Sequence, residues 1–263
     1  MGNLSKIGRV FYAVAVTGTG FQTLIYNNFP YMLLPPEHFL VPGHVRFNYI
    51  SGIILILVGA CIFFGNKTRP ISFLFGCLLL LIFCFFFIPY EFMTNSNYLH
   101  LAEWENALKE LALAGGAFAI AGCFLEKNKK SFSRVWAKLI PYGAILFSIP
   151  IISFGILHFL YAKDVSTLVP SWVPSPIFWT HLAGAALLGS GIAIILKIKP
   201  QLIGFLLGLM ILIWFIILHI PRVIVSPVSD RGDEMVSAFL ALAYSGIAFV
   251  IAGAGKASDI SKH

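Results

Sequence analysis

Charge is scarce in this chain of 263 residues: Asp, Glu, Lys and Arg make up 11% of it, against 59% hydrophobic. A water-soluble sphere needs a larger charged skin, so a soluble globular domain is excluded. Cysteine is scarce too. The four present, Cys61, Cys77, Cys84 and Cys123, form no Cys-x-x-Cys pair. A membrane thiol oxidase needs paired, accessible thiols, so these read as small hydrophobes buried among helices. Also missing are a Gly-rich phosphate cradle, a Ser/His/Asp order and carboxylates at a workable spacing.

What the chain has is long apolar runs, 25 Phe and a mean hydropathy of +0.88. About 20 apolar residues cross the hydrocarbon of a bilayer as one helix. Eight such runs lie at about 7–26, 46–64, 71–91, 104–124, 139–161, 179–196, 201–221 and 234–254. The expected fold is an all-α integral membrane protein with eight transmembrane helices. The first run follows Lys6 and Arg9 as a secretion signal would, but without a small-residue cleavage pattern it reads as a retained anchor.

Orientation follows from Lys and Arg. With the N-terminus inside, Lys6, Arg9, Lys67, Arg69, Lys127, Lys129, Lys130, Arg134, Lys138, Lys197, Lys199, Lys256 and Lys262 are cytoplasmic, 13 of the 18. Arg46, Lys163, Arg222 and Arg231 fall outside, and Lys109 lies in a helix. The bias predicts both termini in the cytoplasm. It also accounts for much of the +7 net charge, so the expected partners are anionic membrane lipids and not nucleic acid.

Half of the chain repeats the other. Gly59 matches Gly191, Gly76 matches Gly208, and Ile88-Pro89 matches Ile220-Pro221. "GGAFAIAG" from Gly115 to Gly122 matches "SGIAFVIAG" ending at Gly253, and "LVP" at 40–42 recurs at 168–170. The pattern predicts two tandem four-helix bundles, 1–126 and 139–263, joined by a basic cytoplasmic linker at 127–138. An even number of spans per unit makes them parallel repeats, related by an axis along the membrane normal. Glycines at seven-residue spacing, Gly115 with Gly122 and Gly246 with Gly253, let backbones approach closely.

The second half carries a resemblance. "FGILHFLYAKDVSTLVPSWVPSPIFWTHLAGAALLGSGIAIIL", followed by a long run ending "LHIPRV", resembles the DoxX-like family of bacterial integral membrane proteins. The arrangement of His158, Leu-Val-Pro, Trp172, Pro174, Trp179 and Gly184 carries it, over about residues 140–254; the first half keeps mainly the glycines and prolines. The resemblance implies a compact helical bundle in a bacterial inner membrane. Family members include a small subunit of a thiosulfate:quinone oxidoreductase and partners in membrane redox assemblies, so a membrane or periplasmic redox partner is expected. A fold carries over more securely than a reaction.

The polar residues supply candidate sites. Under the expected topology His38, His44, His100, His158, His181 and His219 lie at the outer face and His263 inside. Loop and helix-end histidines sit well at the headgroup level, which suffices for His38, His44 and His100. His158 and His219 lie about a turn inside their helix ends among Leu, Ile and Phe, where an ionisable group needs a partner. A neighbouring backbone carbonyl would satisfy either one. Three chemistries could also use the pair: axial haem ligation, a metal site with His181 as third ligand, or a quinone held by His219 between Trp172 and Trp179. Quinone ranks ahead of haem or metal because it asks for least.

Arg222 needs an anion, and Asp230, Asp233 and Glu234 are within reach along the chain, so an internal or lipid salt bridge is expected. The fourth span brings Glu105, Lys109 and Glu110 to its outer end. Glu105 and Lys109, four apart, share a helix face and can neutralise one another. Their counterparts 131 positions on are Val236 and Leu240, so each half keeps polar groups the other lacks. The leading expectation is a redox-associated subunit that binds a quinone or similar apolar ligand near the outer leaflet, with any reaction on a partner. The alternatives are a small-solute transporter with a path lined by Glu105, Lys109 and Glu110, and a non-catalytic membrane scaffold or assembly factor.

Overall fold

The computed structural model describes residues 2–27, 31, 33–35, 45–65, 67–94, 96–97, 99–124, 136–229 and 231–254. Among them there is helix and no strand. Its long helices are α1 (Asn3–Tyr26), α2 (Val45–Phe64), α3 (Thr68–Ile82), α5 (Glu105–Gly122), α6 (Gly143–Leu160), α8 (Pro176–Ile195), α9 (Pro200–Trp214) and α11 (Arg231–Ala254). The shorter ones are α4 (Ile88–Thr94), α7 (Ala162–Ser166) and α10 (Ile220–Val225). The "LVP" at 40–42, His38, His44, Asp230, His263 and most of the basic linker lie outside the described residues.

Packing closes the long helices into a circuit. α1 lies on α2, α3 on α5, α5 on α6, α6 on α8, α9 on α11, and α11 back on α1, with thinner contacts from α2 to α3 and from α8 to α9. α5 and α11 also touch across the circuit. Their sequences explain this placement: both are rich in Ala and Gly, which bring backbones close and leave little room for lipid. Most of α11 is buried inside the protein, against only a small part of the stretch Pro200–Val225.

Among the described residues six helical stretches are long and apolar enough to cross a membrane: Phe47–Phe64, Thr68–Thr94, Lys138–Leu160, Pro176–Ile195, Pro200–Val225 and Arg231–Ala254. On α9 the side chains of Leu202, Phe205, Leu206, Leu209 and Ile213 are exposed. A row of that kind is unfavourable in water and favourable in lipid. The chain is a multi-pass membrane protein. α1 and α5 fall short of the others in hydropathy for a physical reason. Thr23, Gln22 and Ser5 of α1 and Glu110 of α5 are buried against other helices, so neither helix has to be apolar all round.

Two helices carry the same irregularity. α3 runs into a π turn at Phe83–Phe87 before α4, and α9 into one at Phe215–His219 before α10. The Ile88 N–H donates to the Phe83 carbonyl and the Ile220 N–H to that of Phe215, each five residues back. Neither Pro89 nor Pro221 stops its helix: the helices continue to Thr94 and Val225. A proline ring collides with the carbonyl four residues earlier in a regular α-helix, and one wide turn just before it moves that carbonyl aside.

The cysteines differ from expectation too. All four are free; Cys84 is exposed and the others are half-buried. Facing lipid, exposure carries no penalty for a thiol that behaves as a small hydrophobe.

Candidate functional site

A cavity of about 580 Å³ opens among α5, α6, α8, α9 and α11. Each of these helices contributes polar groups near one terminus and, except for the single turn of α5, apolar groups farther in. On α6, Ile151 and Phe154 lie deep, and His158 and Tyr161 lie at the end. On α8, Thr180 precedes Ala183 and Leu187; on α11, Ser237 precedes Leu240 and Ala241. On α9, Met210, Ile211 and Trp214 come first, and the π turn then delivers His219. α5 adds Glu105 and Lys109 at its N-terminal turn. The result is an apolar floor under a polar rim, within the size range of small-molecule sites.

His158 and His219, 61 positions apart, line this one cavity. The His158 Nδ1 lies 2.7 Å from the Phe154 carbonyl oxygen, one turn back on α6. That oxygen only accepts, so Nδ1 is the protonated nitrogen of the neutral ring and Nε2 carries the lone pair. The carbonyl partner expected of such a histidine is therefore present for His158. His219 has none: its Nδ1 is buried without a hydrogen-bond partner.

Glu105 and Lys109 pair as their spacing predicts, Nζ to Oε1 at 2.6 Å, and Lys109 also reaches the Asn106 side chain at 3.3 Å. Glu110 is elsewhere. It is fully buried, both of its carboxyl oxygens lack a hydrogen-bond partner, and it does not line the cavity. The hydroxyls nearest it along α5 are engaged, Tyr12 donating to the Leu113 carbonyl at 2.8 Å and Tyr244 to that of Lys109 at 3.3 Å. A continuous path through Glu105, Lys109 and Glu110 is thus not formed by these side chains.

Of the aromatic walls, Trp179 lines the cavity and Trp172 stands away from it, 69% exposed. His181 is also outside; its ring stacks on Phe159 at 5.5 Å. On α8, where successive residues point about 100° apart, Trp179, Thr180, Ala183 and Leu187 share the arc turned to the cavity and His181 falls beyond it. Among the described residues no three His, Cys, Asp or Glu side chains gather as a metal would require. Arg222 is beside the site and not in it. It forms a two-pronged ion pair with Glu234, Nε to Oε2 at 2.8 Å and a second contact to Oε1, which supplies the expected salt bridge internally.

Several lining residues escaped the sequence reading, among them Tyr161, Thr180, Trp214 and Tyr244. Trp214 had a usable signal: it precedes His219 by five positions, the period of a π turn, although nothing in the local composition announces that turn. His100, expected as a solvated loop histidine, has its ring nitrogens 3.1 Å from the Tyr161 hydroxyl. The segment before α5 therefore reaches across to the α6 end of the cavity.

No family model matches the chain, and comparison with curated proteins and with solved structures gives no match either.

Proposed function

We propose that this protein is an eight-span inner-membrane protein of two tandem DoxX-like bundles, and that its cavity binds a quinone or similar amphiphile as part of a redox assembly. The observation that carries the functional reading is the convergence of His158 and His219 on the rim of one cavity with an apolar floor. Such a shape suits a molecule with one polar ring or head and a hydrocarbon body. The polar groups fix the head, and burial of the body supplies most of the affinity. His219 offers the ligand a hydrogen bond, and Trp179 and Trp214 supply flat walls.

Several facts support the repeat. α3 and α9 are each 15 residues long, each follows a lysine in a left-handed conformation, Lys67 (φ 54°) and Lys199 (φ 41°), and each runs into a five-residue π turn. Close approaches recur in register as well. Gly8 packs on Gly246 as Gly143 packs on Gly115, and Gly76 meets Phe118 as Gly208 meets Phe249. α1 and α5, long but less apolar, complete the count of spans in this reading. With both termini cytoplasmic, the cavity rim lies at the outer leaflet.

A transport reading draws on one observation, the Glu105–Lys109 pair on the cavity wall. Titration of decylubiquinone into the detergent-solubilised protein separates the two. The wild type is expected to bind saturably, and His219→Phe to bind more weakly by about 1–1.5 kcal/mol, roughly five- to twelvefold, for one lost hydrogen bond. Equal affinities, or no binding to either, would remove the quinone reading and leave transport or scaffolding.

A further inference from the structure

The two imidazoles on the rim differ in what they ask of a ligand. His158 uses its Nδ1–H on the Phe154 carbonyl at 2.7 Å. In the neutral ring the other nitrogen, Nε2, then has only a lone pair, so on the cavity side His158 accepts and does not donate. His219 is arranged the opposite way. Its Nδ1 is enclosed with no acceptor near it. A buried N–H without an acceptor is a rarer and costlier arrangement than a lone pair without a donor, so the proton belongs on Nε2, where a ligand can meet it. The two imidazoles thus present one acceptor and one donor on separate helices.

We infer that the cavity selects a hydroxyl-bearing head, a quinol or phenol, over the carbonyl of an oxidised quinone. A hydroxyl donates one hydrogen bond and accepts others, so it satisfies both His158 and His219. A quinone oxygen only accepts. It serves His219 but sets its lone pair against that of His158 Nε2, leaving two acceptors facing each other in a cavity of mostly apolar walls. Sites built to hydrogen-bond a hydroxyl reject the analogue that lacks it, because their own polar groups are then stranded. This selectivity rests on the amphiphile-binding reading of the cavity and adds the redox form that is held.

The test is calorimetric titration of the detergent-solubilised full chain at pH about 8, above the ordinary imidazole range. The probes are decylubiquinol under anaerobic reducing conditions, decylubiquinone, and the redox-inert pair para-nonylphenol and para-nonylanisole. Expected is a preference on the order of tenfold for the quinol over the quinone and for the phenol over its methyl ether. In His158→Phe both preferences should fall to within about twofold, while His181→Phe, outside the cavity, should keep them. The phenol and ether comparison needs no variant, so it decides the matter even if His158→Phe does not fold. If each pair binds the wild type equally, the selectivity is overturned and amphiphile binding stands. If none of the four binds, the reading of the cavity falls and the selectivity with it.

Discussion

Phe87 and His219 end the same backbone device 132 positions apart, and their surroundings differ. Phe87 is 2% exposed, beside a smaller cavity of about 350 Å³ whose walls include Tyr31, Tyr90, Glu91, Glu103 and Asn106. His219 is half-buried on the rim of the larger cavity, whose walls are mostly aliphatic and aromatic. In the first case an apolar ring closes off a polar space, and in the second a polar ring caps an apolar one. Each π turn carries its last residue inward, while Phe85 and Ile216 on the same turns are exposed. The backbone geometry is shared, and one side chain then sets what each end of the molecule can hold.

The strongest way to break this comparison is at the glycine crossings. A Cβ on Gly246 or on Gly115 would come within 3.0 Å of the facing backbone. Gly246→Val and Gly115→Val should each cost about 3 kcal/mol, read as loss of folded protein in thermal unfolding followed by tryptophan fluorescence. If one half tolerates valine and the other does not, the two crossings are not equivalent.

Next in size is the exchange of the two ring residues. Phe87→His places an imidazole where almost nothing is exposed, and should destabilise by about 2–3 kcal/mol. The reverse change, His219→Phe, should cost less than about 1 kcal/mol, because the volume is nearly kept and no buried bond is lost. Equal costs in the same unfolding assay would mean that the two turns sit in equivalent environments.

The ion pair beside His219 has no counterpart made of the same residues: the positions matching Arg222 and Glu234 are Tyr90 and Glu103. Glu234→Gln leaves the Arg222 guanidinium without its anion. With Arg222 34% and Glu234 19% exposed, the loss should be about 1–2 kcal/mol, below the range for a fully buried pair. An unchanged melting temperature would assign the pair no structural role. The smallest effect is expected at Glu105→Gln. Its partnership with Lys109 is a helix-surface pair with Glu105 51% exposed, and about 0.3–0.5 kcal/mol is at stake. A larger loss would show that the pair is held more rigidly than its exposure implies.

Much of the fold could be read along the chain. Long apolar runs separated by Lys, Arg and Pro mark the helices, because a bilayer demands about 20 apolar residues per crossing. The Glu105–Lys109 pair and the need of Arg222 for an anion followed from helical spacing and from the price of an unpaired charge at a helix end. Trp172, expected as a wall, lies in the turn before α8, and His181, expected as a third metal ligand, lies on another face of α8 from Thr180; proximity in sequence does not fix which residues a cavity gathers. One residue on α8, Thr180 in place of His181, makes the difference.

The medium and the secondary structure follow from composition, which sets the favourable solvent, and from apolar run length, which sets the number of turns. Which helices are surrounded by protein and which by lipid depends on packing, since hydropathy reports on a side chain and not on what it faces. Packing also decided the cavity. His158 and His219 become a pair because helices from distant parts of the chain pack against one another and leave about 580 Å³ between them unfilled.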